Sequence, residues 1–143
     1  MKNYKLLSYK LYVSVFYYAL GILNYRRLAA VNFFEQSLKF DCPLPLQYLC
    51  YKEIGIVYYY NDFYDKSKFY LEKTLRLIEA DEGDTELFTF LGLVHYAQDD
   101  FLKAKEYFEK ALRKYKKFEW IKKEFISSHI NGCEYYLANP EKK

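Results

Sequence analysis

Residues 87–112 read LFTFLGLVHYAQDDFLKAKEYFEKAL, and this stretch decides the fold. Apolar residues recur at helical spacing on both sides of the run Gln98-Asp99-Asp100. Aspartate tolerates a left-handed backbone and hydrogen-bonds to its own turn, so this run is typical of a tight connection. The stretch therefore predicts two helices joined by a short turn.

The same pattern recurs along the chain. Residues 48–76 and 85–112 are two copies held 37 residues apart, with Gly55 matching Gly92. A third, weaker copy lies earlier, where Ala30 and Phe34 take the places of Ala104 and Phe108. A fixed period of this length indicates helical pairs that bury their apolar faces by stacking on neighbours.

The stretch at 87–112 resembles a tetratricopeptide repeat. The matching residues are Phe88, Leu91, Gly92, His95, Tyr96, Ala104, Phe108 and Ala111, and in the second copy Tyr51, Ile54, Gly55, Tyr58, Ser67, Leu71 and Thr74. Two features depart from the family: a unit of 37 residues instead of about 34, and Glu79 and Lys116 where proline is common. The resemblance implies an all-α fold that holds other proteins.

We predict an all-α, tetratricopeptide-type helix–turn–helix solenoid in a single domain, 1–143. Repeat one is expected at 11–40, repeat two at 46–80 and repeat three at 84–117. A C-terminal capping helix at 118–137 would cover the apolar face of the last repeat.

The composition narrows the classes of function. The 143 residues carry 22 basic and 19 acidic side chains, a net charge of +3, which is more balanced than the charge of most nucleic-acid-binding domains. Three cysteines without metal-binding spacing or a disulfide framework indicate reduced thiols and a cytoplasmic protein. No grouping of residues suggests catalysis. We predict no enzyme activity, no cofactor, no metal and no nucleic-acid partner.

The N-terminal run Leu11–Leu23 has two interpretations. It is uncharged and mostly apolar and follows several lysines, as in a signal peptide. However, Arg26 and Arg27 follow at once, and 13 residues are short for a membrane span, which takes about 20. We favour a helix packed on both sides, and the alternative is a segment that rests in or on a membrane.

The positions left over on each first helix, once packing is assigned, predict the binding surface. In the resembled family, this helix face lines a concave groove that takes a peptide or a helix. The groove residues predicted here are Phe16, Ala19, Lys52, Glu53, Ile56, Tyr59, Tyr60, Thr89, Phe90, Leu93 and Tyr96. A helix that is apolar on both faces needs a second burial partner.

The leading hypothesis is a non-catalytic adaptor or assembly factor that binds an apolar helix or extended segment of another protein in this groove. Two alternatives stay open. One is a membrane-associated assembly factor, anchored at the membrane periphery through the N-terminal apolar helix. The other is a structural subunit whose aromatic groove is filled by a second copy of the chain, which would make it a homodimer.

Overall fold

The computed structural model describes residues 2–40, 42–79, 81–117 and 120–142, with side chains from residue 9 onward. Within these ranges the chain forms seven α-helices and no strand. The helices are α1 (Lys2–Leu23), α2 (Ala29–Leu38), α3 (Leu44–Tyr60), α4 (Tyr64–Leu75), α5 (Thr85–Ala97), α6 (Phe101–Lys114) and α7 (Lys123–Ala138), followed by a 3₁₀ turn at Pro140–Lys142. The predicted all-α class is confirmed.

The chain divides into two compact units, Met1–Leu77 and Ile78–Lys143. In the first unit α1 packs on α2, α2 on α3, and α3 on α4. In the second unit α5 packs on α6, and α6 on α7. None of the described helices combines the length and the apolar character needed to cross a bilayer.

The predicted turns within the helical pairs are confirmed. Asp62 and Asp99 have left-handed backbones, with φ of 62° and 59°, and lie at equivalent places of their pairs. The carboxylate of Asp84 accepts a hydrogen bond from the Leu87 amide at 2.7 Å and caps the start of α5. Such a cap satisfies one of the amides that a helix leaves unpaired at its first turn.

Glycines let the two helices of a pair approach closely. A Cβ on Gly55 would come within 2.6 Å of Leu71 Cγ, which no unstrained packing allows. Gly21 lies three residues out of register with Gly55 in the sequence, yet a Cβ there would overlap the ring of Phe34 in the same way. The first helical pair therefore keeps the contact although its sequence departs from the pattern.

Hydroxyl groups join α1 to α2 and α3 inside the first unit. Ser14 Oγ donates to the Ser37 carbonyl at 2.9 Å, and Ser37 Oγ donates to the Ser14 carbonyl at 2.8 Å. The Cys50 thiol donates to Ser37 Oγ at 3.4 Å. All three residues are fully buried, so these bonds satisfy polar groups that would otherwise be costly to bury.

Two predicted helix bounds differ from the structure. Repeat one was expected from residue 11, but α1 begins at Lys2, because residues 2–10 contain no proline or glycine to stop it. The capping helix was expected from Phe118, but α7 begins at Lys123, after Lys122 in an extended conformation. Phe118, Glu119, and the link residues Asp41 and Ala80 lie outside the described residues.

Candidate functional site

The structure separates the predicted groove residues by burial. Six of them are buried, namely Lys52, Glu53, Ile56, Thr89, Phe90 and Leu93. Tyr59, Tyr60 and Tyr96 are half-buried, and Phe16 and Ala19 are exposed on α1. The six buried positions do not offer an open apolar face, which corrects that expectation for them.

On α5 the chain itself supplies part of the cover. The ring of Trp120 lies 6.3 Å from that of Phe90, centroid to centroid, and Trp120 Nε1 donates to Glu86 Oε1 at 3.0 Å. Phe90 is only 2% exposed and Leu93 only 7%. The sequence predicts that the second apolar face of α5 needs an external partner, whereas Trp120, in the segment before α7, already packs on Phe90 of that face.

Tyr96 belongs to the packing of the second unit. Its ring lies 5.2 Å from that of Phe101, 5.5 Å from His129 and 6.2 Å from Tyr136, centroid to centroid. Burial raises the pKa of its phenol, since an ionised ring would lose its hydration. Tyr96 therefore joins α5 to α6 and α7 within the second unit.

Tyr59 and Tyr60 lie in a group of half-buried rings in the first unit. We call Tyr25, Arg26, Tyr59, Tyr60 and Tyr64 the tyrosine cluster. Tyr60 lies 6.3 Å from Tyr25 and 5.8 Å from Tyr59, which lies 5.8 Å from Tyr64. The exposed Arg26 guanidinium lies 4.3 Å from the Tyr60 ring centroid, and its Nη2 donates to Tyr60 Oη at 3.3 Å. The cluster presents aromatic rings, hydroxyls and one cation together.

Two turns hold this cluster in place. The Asn61 side-chain amide donates to the Arg26 carbonyl at 2.9 Å and to the Val57 carbonyl at 2.7 Å, which fastens the α1–α2 turn to the end of α3. Tyr64 Oη donates to Asp62 Oδ1 at 2.8 Å. Arg26 and Asp62 both have left-handed backbones, with φ of 66° and 62°. These constraints orient the rings before any partner binds.

The phenols of Tyr59 and Tyr64 have raised pKa values and stay protonated at neutral pH. Burial raises the pKa of Tyr59, and the neighbouring Tyr64, Tyr60 and Asp62 add to the shift. The hydrogen bond to Asp62 raises the pKa of Tyr64. A neutral phenol both donates and accepts hydrogen bonds, so the cluster can pair with the polar groups of a bound segment.

Other titratable residues have packing roles. His95 is 1% exposed, with Nδ1 3.1 Å from Asp100 Oδ2 and its ring 5.4 Å from that of Tyr107, centroid to centroid. Cys50 lies well inside α3, and burial raises the pKa of its thiol to about 12. In the part of the chain that the structure describes, no group of three histidine, cysteine or carboxylate side chains could hold a metal ion.

Sequence reasoning missed Tyr25, Arg26 and Tyr64. In the sequence, Arg26 stands out only as a charge that argues against a signal peptide. One sequence signal could have found them. The turns at 24–28 and 61–63 each precede the second helix of a pair, so their residues are expected at the same end of the paired helices.

Comparisons with known proteins agree with this architecture. Residues 85–118 match the family model of the tetratricopeptide repeat. Among solved structures, the Sgt2 TPR domain from Aspergillus fumigatus matches with a TM-score of 0.70 and 14% identity, over 91% of this chain and 82% of that chain. No curated protein matches the chain in sequence.

These matches define one repeat and the fold of the chain. Residues 85–118 form a tetratricopeptide repeat, and the chain as a whole has the fold of a tetratricopeptide-repeat domain.

Proposed function

We propose that the protein is a non-catalytic adaptor or assembly factor that binds a helix or an extended segment of another protein through the tyrosine cluster. The observation that carries this proposal is the combination of partly exposed, pre-oriented tyrosines with the Arg26 guanidinium over Tyr60. Tyrosine and arginine are enriched in protein interfaces, where they supply much of the binding energy.

The chemistry of the cluster indicates what the partner offers. The rings of Tyr59 and Tyr60 favour apolar or flat side chains, while their hydroxyls and Arg26 favour backbone carbonyls or a carboxylate. Because Asn61 already fastens the turn that carries Arg26, little ordering entropy is lost on binding. A partner segment with apolar side chains beside exposed carbonyls meets these requirements.

The test compares binding by a double variant, Tyr59→Ser with Tyr60→Ser, with binding by a control double variant, Phe69→Ser with Leu102→Ser. Phe69 and Leu102 are exposed apolar side chains outside the cluster, at 53% and 61% exposure. Immobilised wild-type protein and both variants would be incubated with cell extract, and their bound proteins compared quantitatively by mass spectrometry. We expect a specific set of proteins lost from the first variant and kept by the control.

The charge variant Arg26→Gln covers the case in which the tyrosine variant loses stability. Arg26 is exposed, so its side chain can change with little loss of packing. The same set of proteins should bind this variant more weakly. If both cluster variants stay folded and keep every partner of the wild type, the proposal is refuted.

The cytoplasmic location remains part of the proposal. It is supported by Cys42, Cys50 and Cys133, which are all unbridged thiols, as expected in a reducing compartment.

A further inference from the structure

The outward side of α1 is apolar along its whole described length. We call Tyr9, Leu11, Tyr12, Val15, Phe16, Ala19, Ile22 and Leu23 the α1 face; all eight are exposed and none is charged. Tyr12 is 74% exposed and Leu23 is 81% exposed. Their spacing places them on one side of the helix, because residues three and four apart are neighbours there.

The opposite side of α1 is already packed. Ser14 bonds to Ser37 of α2, and the Tyr18 ring lies 5.7 Å from that of Phe34. By contrast, the exposed positions of α4 and α6 carry mainly charged side chains, such as Asp65 and Lys103. A contiguous apolar patch on a protein surface usually marks a contact site, so we expect the α1 face to bind another surface.

Charge identifies the kind of occupant. Residues 1–34 hold five basic side chains, Lys2, Lys5, Lys10, Arg26 and Arg27, and the first acidic residue of the chain is Glu35. These basic residues lie at both ends of the apolar run 11–25. A second copy docked face to face would bring like charges together with no carboxylate in this segment to pair with them. An anionic surface, in contrast, matches both ends.

We propose that the α1 face docks on the interface of a bilayer that contains anionic lipid. The helix would lie in the plane of the interface, since no described helix could cross the bilayer. Phe16, Val15 and Leu23 would enter the acyl boundary, while the hydroxyls of Tyr9 and Tyr12 would stay among the headgroups. Tyrosine is enriched at this depth because its ring is apolar and its tip is polar.

Vesicle co-sedimentation of the full chain tests this proposal. Vesicles would consist of phosphatidylcholine alone or of phosphatidylcholine with phosphatidylglycerol. We expect the protein to sediment with the anionic vesicles only, and the bound fraction to fall as NaCl is added. Equal binding to both compositions, or no binding to either, would overturn the proposal.

Variants locate the contact. Phe16→Ser with Leu23→Ser should weaken vesicle binding about tenfold for each side chain removed, and Arg27→Gln should weaken it about fivefold. The control Phe69→Ser with Leu102→Ser should bind like the wild type, because it removes two apolar side chains, 53% and 61% exposed, from elsewhere. If the α1 variant also binds like the wild type, the α1 face is not the site.

A fluorescence reporter keeps the test decisive if the serine variant is unstable. In a Trp120→Phe background, the indole introduced by Phe16→Trp should shift its emission to the blue on adding anionic vesicles, and an unchanged emission would overturn the proposal. Light scattering without lipid tests the alternative occupant, a second copy of the chain. If the wild type is a dimer and the serine variant is a monomer, the second copy covers the α1 face and the lipid proposal is refuted. Arg26 belongs to both surfaces, but the variants used here change Phe16, Leu23 and Arg27, which lie outside the tyrosine cluster, so this proposal and the adaptor proposal fail separately.

Discussion

Gly92 on α5 lies directly against the ring of Phe108 on α6. A Cβ added to Gly92 would come within 2.7 Å of Phe108 Cε1, closer than carbon atoms pack in folded proteins. Gly55 has the same relationship to Leu71, one repeat earlier. The absence of a side chain at this crossing sets the distance between the two helices of a pair.

Gly92→Leu should therefore be strongly destabilising. The new side chain would have to displace the fully buried Phe108 ring, and overpacking of this kind costs roughly 1–3 kcal/mol or more of unfolding free energy. Urea unfolding followed by circular dichroism measures the loss. Ala97→Leu, at an exposed position of the same helix, is the matched control. An unchanged midpoint for Gly92→Leu would contradict this contact.

Leu93→Ser should also destabilise the fold. Leu93 is 7% exposed, and truncating a buried leucine costs about 2–5 kcal/mol. The sequence alone places Leu93 in an open groove, where this change would be harmless. The control is Leu102→Ser on α6, at 61% exposure, whose effect should stay within about 0.5 kcal/mol. Equal stability of the two variants would restore the original assignment.

Ser37→Ala tests the hydroxyl network in the first unit. The change removes the donor to the Ser14 carbonyl and the acceptor for the Cys50 thiol, so buried polar atoms lose their partners. The expected loss is about 1–3 kcal/mol of unfolding free energy. Ser128→Ala, whose exposed hydroxyl donates to the Phe125 carbonyl, is the comparison and should change little. A thermal melt of Ser37→Ala that coincides with the wild type would disprove the role of the network.

Stability should decline in alkaline solution, in part through Cys50. Burial raises the pKa of its thiol from 9.0 to about 12. The unfolded chain therefore releases this proton first, so the stabilising contribution is complete below pH 9.0 and is lost as pH rises toward about 12. We expect Cys50→Ala to show a shallower fall in unfolding free energy over this range. Slopes that are identical in variant and wild type would contradict the shift.

Most of the fold could be predicted from the sequence, because the same packing residues recur at equivalent positions of successive repeats. Gly55 and Gly92 had to be small, and Asp62 and Asp99 had to form turns, since equivalent positions carry equivalent residues. Gly21 was harder to place, because the first pair reaches the same contact through a connection three residues shorter.

The candidate site could be predicted only in part. Assigning Phe90 to an open groove assumed that nothing in the chain would cover it, and Trp120 reaches it from 30 residues further along. Helical periodicity shows which faces of a helix are apolar. It does not show which side chain from an irregular segment will cover such a face. The tyrosine cluster was missed in part for the same reason, since Arg26 reaches Tyr60 from a turn.

Site-specific photo-crosslinking at position 60 tests the central claim most directly. A photoreactive phenylalanine analogue in place of Tyr60 puts the reactive group in the cluster, and the same analogue in place of Leu102 serves as the control at an exposed position on α6. Irradiation in living cells, followed by mass spectrometry, would identify what lies within reach of each site. The adaptor proposal predicts crosslinks from position 60 to a reproducible segment of another protein that position 102 does not give. Crosslinks that are absent at position 60, or that are the same at both positions, would contradict it.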